Sequence, residues 1–185
     1  MNELVNDEVA MEYFAKLDEL VSPGTELFVF GGSAIGLLGA KIRTTIDIDI
    51  AAPYSRVKFD EFKAASAKLG FPVNPEPSYQ GAYIEWVGPA RLSLPNPIED
   101  AQILFQGLNL TVKTGTFADL IASKLVRYNV KDMQDVQFLV SEGRVKYENI
   151  VAATERLSPV FRDDPLLKEN LENVKTDMEI WRETK

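Results

Sequence analysis

The chain has 185 residues, with 20 Lys+Arg against 28 Asp+Glu for a formal net charge of −8, and it contains no histidine and no cysteine. Those absences exclude a disulfide framework, a thiolate nucleophile, a Cys-type zinc site, a Ser-His-Asp triad and an imidazole base. Chemistry is left to carboxylates, Lys, Arg, hydroxyls and backbone amides, a set that suits hard cations such as Mg²⁺. At 45% hydrophobic and 26% charged residues, the composition is that of a globular chain large enough to bury its own core. No apolar run approaches the ~20 residues of a membrane span, and the acidic opening Met1–Glu8 does not read as a signal peptide. The expectation is a cytoplasmic protein with no membrane partner.

In chain order, residues 7–21 place Val9, Met11, Phe14, Leu17, Leu20 and Val21 at helical spacing, and Ser22-Pro23-Gly24 ends the helix. Leu27–Phe30 reads as a buried strand. Gly31-Gly32-Ser33 turns it into a small-residue helix, Ala34 to Ala40. Thr45 to Ala51 reads as a second strand, and Ser55 to Leu69 as an amphipathic helix closed by Gly70. Residues 71–80 form a proline-containing loop. Strands are expected at Ala82–Val87, Arg91–Leu94 and Leu108–Lys113. From Thr116 the pattern is helical. A capping box, Thr116 to Asp119, opens a helix to about Tyr128, followed by helices near 132–140, 147–156 and 164–181. The fold class is therefore α+β: a mixed sheet of four or five strands flanked by helices, over residues 1–115, with a C-terminal helical region, 116–185, packed on it.

Two stretches carry the chemistry. On a strand, alternate residues share a face, so Asp47 and Asp49 point one way while Ile46, Ile48 and Ile50 point to the core. Adjacent carboxylates repel, and a divalent cation is their natural neutraliser; a solvated acidic edge is the competing reading. About fifteen residues upstream, Gly31-Gly32-Ser33 joins a strand to a helix. Free amides at such a turn bind phosphate, although a turn that merely needs glycine would look the same. The stretch matches neither a Walker A loop nor the Gly-x-Gly-x-x-Gly fingerprint. Together the two halves make a coherent site for nucleotide chemistry.

Gly31-Gly32-Ser33 followed by Asp47-Ile-Asp49 resembles the signature of the polymerase-β-type nucleotidyltransferase superfamily. The Arg43-Thr44-Thr45 lead-in is most similar to a minimal bacterial branch that includes AbiEii-type toxins. So is the later run Asp119-Leu-Ile-Ala-Ser-Lys124-Leu-Val-Arg127, then Lys131-Asp132-Met-Gln-Asp135. The resemblance covers roughly residues 27–50 and 108–140. It implies transfer of a nucleoside monophosphate from an NTP to an acceptor hydroxyl of RNA, tRNA or a small molecule, with Mg²⁺ or Mn²⁺ as cofactor. It further implies a place in a toxin–antitoxin pair. Gly31, Gly32 and Ser33 would hold the triphosphate, and Asp47 and Asp49 the metal. Arg43, Thr44, Lys124, Arg127 and Asp135 would contact or position the nucleotide. Lys124 with Arg127, and Asp132 with Asp135, are spaced equally well for structural ion pairs between helices.

The third acid that acts as base in many such enzymes has one candidate on a nearby strand, Glu85, and a weaker one, Asp100. Tyr79, Tyr83 and Trp86 lie near Glu85, as base-stacking or core aromatics. Without a third acid, the alternative is a catalytically inactive, nucleotidyltransferase-like binding or interaction protein. An RNA acceptor on so acidic a chain would need a basic cleft, for which Arg43, Lys124, Arg127 and Lys131 are the candidates.

Overall fold

The computed structural model describes residues 4–40, 44–97 and 101–183. The chain divides into two compact units, residues 1–92 with 101–114, and residues 93–100 with 115–185. Arg43 and Asp100 lie outside the described residues.

The first unit opens with helix α1 (Asp7–Asp18), capped by Asn6, whose side chain accepts from the Val9 amide. Its buried stripe is Ala10, Tyr13, Phe14 and Leu17, at the spacing of one helical face. Then come strand β1 (Thr25–Phe30), helix α2 (Gly31–Leu37), strand β2 (Asp47–Ala51), helix α3 (Phe59–Lys68) and strands β3 (Tyr83–Val87), β4 (Gln102–Gln106) and β5 (Leu110–Thr114). Among the described residues the strands form one mixed sheet in the order β3-β2-β1-β5-β4. β1 runs antiparallel to β2 and parallel to β5, β2 runs parallel to β3, and β4 runs antiparallel to β5. Phe14, Leu17, Leu27, Ile48, Ile50 and Ile84 are all fully buried in its core.

Three details differ from the sequence pattern. Ile46 is 40% exposed rather than in the core, because β2 begins one residue later, at Asp47. Residues 91–94 are not a strand: prolines at 89, 95 and 97 remove ladder donors, and Leu92 and Leu94 are buried from irregular backbone. The fifth strand is instead β4, whose register shifts between Ile103 and Phe105. That irregularity breaks the period-two alternation by which a strand is recognised.

Asp18, just inside the end of α1, ties the β4–β5 turn. Its carboxylate accepts from the amides of Leu108, Asn109 and Leu110 at 3.0, 2.7 and 2.7 Å. Burial works to raise its pKa, but the Asn109, Leu108 and Leu110 amides outweigh it and hold the carboxyl below its usual range. A depressed carboxylate contributes stability that is present above the unfolded-state value of about 3.9 and is lost as pH falls through the folded-state value. Asp18→Ala is expected to cost about 2 kcal/mol at pH 7, by urea denaturation. The gap between variant and wild type should close progressively below about pH 4.

The second unit is helical: α4 (Phe117–Leu125), α5 (Val130–Gly143), α6 (Tyr147–Thr154), α7 (Pro159–Arg162) and α8 (Pro165–Glu183). The expected capping box is present, with Thr116 accepting from the Asp119 amide and Asp119 from the Thr116 amide. A second box, between Asn129 and Asp132, opens α5. Leu120, Ile121, Leu125, Leu139, Ile150 and Val174 fill the interior. Asn170 of α8 donates to the Leu125 carbonyl at 2.7 Å, satisfying one of the open carbonyls at the end of α4. Among the described residues no helix is long and apolar enough to cross a membrane.

Candidate functional site

β2 and β3 pair in parallel with Asp47 opposite Tyr83 and Asp49 opposite Glu85. Directly opposed residues share a sheet face, so the three carboxylates stand on one face while Ile48, Ile50 and Ile84 fill the other. Asp47, Asp49 and Glu85 are each half-buried, and one oxygen from each lies within 4.8 Å of the others. A donor set made only of carboxylate oxygens is the chemistry that a hard cation such as Mg²⁺ prefers. The residues fit a hard divalent cation.

Each acid is held. Asp47 accepts from the Thr45 hydroxyl and, at 3.3 Å, from the Tyr83 hydroxyl. Glu85 is paired with Arg91, which the sequence reading did not single out. Burial, then the charges of Asp47 and Glu85, push the Tyr83 phenol up to about 12, so it remains a proton donor toward Asp47 at neutral pH.

Gly31-Gly32-Ser33 is not a turn ahead of a helix but the first turn of α2 itself, where amides lack intrahelical acceptors. β1 delivers it, since Phe30 sits opposite Asp49 in the β1–β2 pairing. Gly31 has φ +68°, and a Cβ there would overlap the Asp49 carboxylate. Glycine is required twice over, by its backbone conformation and by the close approach of the acid. Both halves of the sequence motif therefore meet. Gly31→Ala is expected to cost about 1–3 kcal/mol in strain and to displace Asp49. Mn²⁺ titration followed by electron paramagnetic resonance should show at least tenfold weaker binding.

Thr44 is half-buried just ahead of β2. Tyr79 is 42% exposed, and the half-buried Trp86 packs on Phe59 and Phe62 with ring centroids 5.1 and 5.4 Å away. Lys124, Arg127 and Asp135 belong to the second unit. There the Lys124 ammonium lies 2.9 Å from Asp135 and 3.5 Å from Asp132, buried with both. Arg127 grips Asp132 through two nitrogens at 2.8 and 2.9 Å. Burial alone would raise the Asp132 pKa, but the Arg127 hydrogen bonds and the Lys124 charge hold it below the usual range. Lys124 is thus ion-paired with Asp135 and Asp132, and Arg127 with Asp132.

A family model described as "nucleotidyltransferase of unknown function" (DUF6036) matches residues 10–154. The chain belongs to this family. The match takes in the whole DUF6036 sheet, the three acids and the Gly-Gly-Ser turn, and it ends in α6. No curated protein and no solved structure matches the chain significantly.

Proposed function

We propose that this DUF6036 protein is a Mg²⁺- or Mn²⁺-dependent enzyme that transfers a nucleoside monophosphate from an NTP to an acceptor hydroxyl. The observation that carries the reading is the three-carboxylate cluster on β2 and β3, set against the first turn of α2, in a chain of a nucleotidyltransferase family. Asp47 and Asp49 would hold the metal, which supplies charge neutralisation for the triphosphate and the developing negative charge at phosphorus. The amides of Gly32 and Ser33 would bind the β- and γ-phosphates. Glu85 would take the proton of the acceptor hydroxyl as that oxygen bonds to the α-phosphorus and pyrophosphate leaves. Tyr83 and Thr45 orient Asp47 by donating hydrogen bonds to it. The resemblance to AbiEii-type toxins supports RNA as the acceptor and an antitoxin as the partner.

Incubation with each α-labelled NTP, Mg²⁺ and total RNA or small-molecule extract tests the reaction. The expected result is label transferred to one acceptor class with release of pyrophosphate. The reading fails if no NTP is transferred and none, with Mg²⁺, raises the melting temperature.

A further inference from the structure

We propose that the second unit carries a nucleotide-binding hollow between the end of α5 and the end of α8, built from residues other than the three acids. It has a volume of about 410 Å³, and its lining includes Arg144, Lys146, Arg182, Gln137, Met178 and Trp181. Among the described residues, three cations and no carboxylate line it, on a chain of net charge −8. Among the described residues these three cations form no ion pair, in contrast to Lys124 and Arg127. Lys146, Met178 and Arg182 also line an adjoining hollow of about 420 Å³, where Lys175 lies over the Tyr147 ring; Glu148 and Glu179 border that second space.

The backbone supplies a second observation. α5 ends with Arg144 in the left-handed conformation, φ +48° and ψ +38°, where glycine is favoured. The neighbouring glycine, Gly143, sits one position too early, because a Cβ there would overlap the Phe117 ring. The chain thus keeps a strained arginine where glycine would relieve it, and that arginine lines the hollow. Trp181 and Arg182 lie beyond residues 10–154, outside the part of the chain that matches the family.

Cations beside a half-buried tryptophan fit a phosphate joined to a flat ring. The ligand class is a nucleotide, free or as a unit of a single strand of RNA. Nucleoside monophosphate, a 12-nucleotide RNA and tripolyphosphate are titrated into the full chain, following tryptophan emission and calorimetric heat. Nucleotide or RNA is expected to quench emission, and Trp181→Phe to remove the quench. Arg144→Gln/Arg182→Gln should weaken binding at least tenfold. For RNA, that double variant should also lower the slope of log K against log salt by about 1.4, two phosphates at ~0.7 each. Arg144→Gly should raise the melting temperature while weakening binding, which a purely structural arginine would not do. Binding by RNA alone, or by free nucleotide alone, identifies the source. Asp47→Asn/Asp49→Asn should bind as wild type, so failure here is distinct from failure of the transfer reaction. Tripolyphosphate binding that equals nucleotide binding, is lost in Arg144→Gln/Arg182→Gln and causes no quenching overturns the proposal, as does an undiminished nucleotide affinity in the double arginine variant. No binding at millimolar ligand also overturns it.

Discussion

Asp47→Asn/Asp49→Asn is expected to reduce Mg²⁺-dependent nucleotidyl transfer at least 10³-fold. The two carboxylates face the same way from β2, within 4.8 Å of each other and of Glu85. In the proposed reaction they hold the cation that offsets charge at the transferring phosphorus. Such a contribution amounts to several kcal/mol, and each 1.36 kcal/mol is a factor of ten in rate. The loss does not come from unfolding. Removing two adjacent negative charges relieves repulsion, so the metal-free variant should melt at or slightly above the wild-type temperature. The rise in melting temperature with Mn²⁺ should disappear. A variant that keeps both transfer and metal-induced stabilisation would exclude Asp47 and Asp49 as the metal site.

Lys124→Met is expected to destabilise the protein by about 3–5 kcal/mol, because it leaves Asp132 and Asp135 buried beside a missing charge. Replacing Asp135 as well, in Lys124→Met/Asp135→Leu, should recover a good part of that loss, since a buried ion pair exchanged for packed apolar groups is often close to neutral. Asp132 retains Arg127 and its cap on α5 in that double variant. Denaturant midpoints measure both effects. If Lys124 instead acts on nucleotide phosphate, the single variant keeps its stability and loses NTP affinity. The two readings of this helix pair predict opposite outcomes in the two assays.

Much of the molecule was legible from local signals. The period-two alternation of residues 47–50 placed Asp47 and Asp49 on one face, and the capping box at Thr116 marks the observed start of α4. Strand β4 was not legible, because its irregular register spoils the alternation. Nor were the partners of the acids. Tyr83 reaches Asp47 and Glu85 comes level with Asp49 through parallel pairing of strands more than thirty residues apart, and no local pattern encodes a register between distant segments. Arg91 meets Glu85 from only six residues on, but through an irregular turn after β3 that no periodicity marks.

By itself, the sequence determined which chemistry was available. With no histidine and no cysteine, carboxylates, Lys, Arg, hydroxyls and backbone amides were the groups left to carry any chemistry. Tertiary structure decided which of those groups meet. It set Asp49 against Gly31, where only a residue without Cβ fits, and it enclosed Lys124 with two carboxylates. It also brought Arg144 and Lys146, which follow α5, to the same hollow as Trp181 and Arg182 at the end of α8. Composition and periodicity are local, whereas metal coordination, ion pairing and charge clustering depend on distances of a few ångströms between residues far apart in the chain.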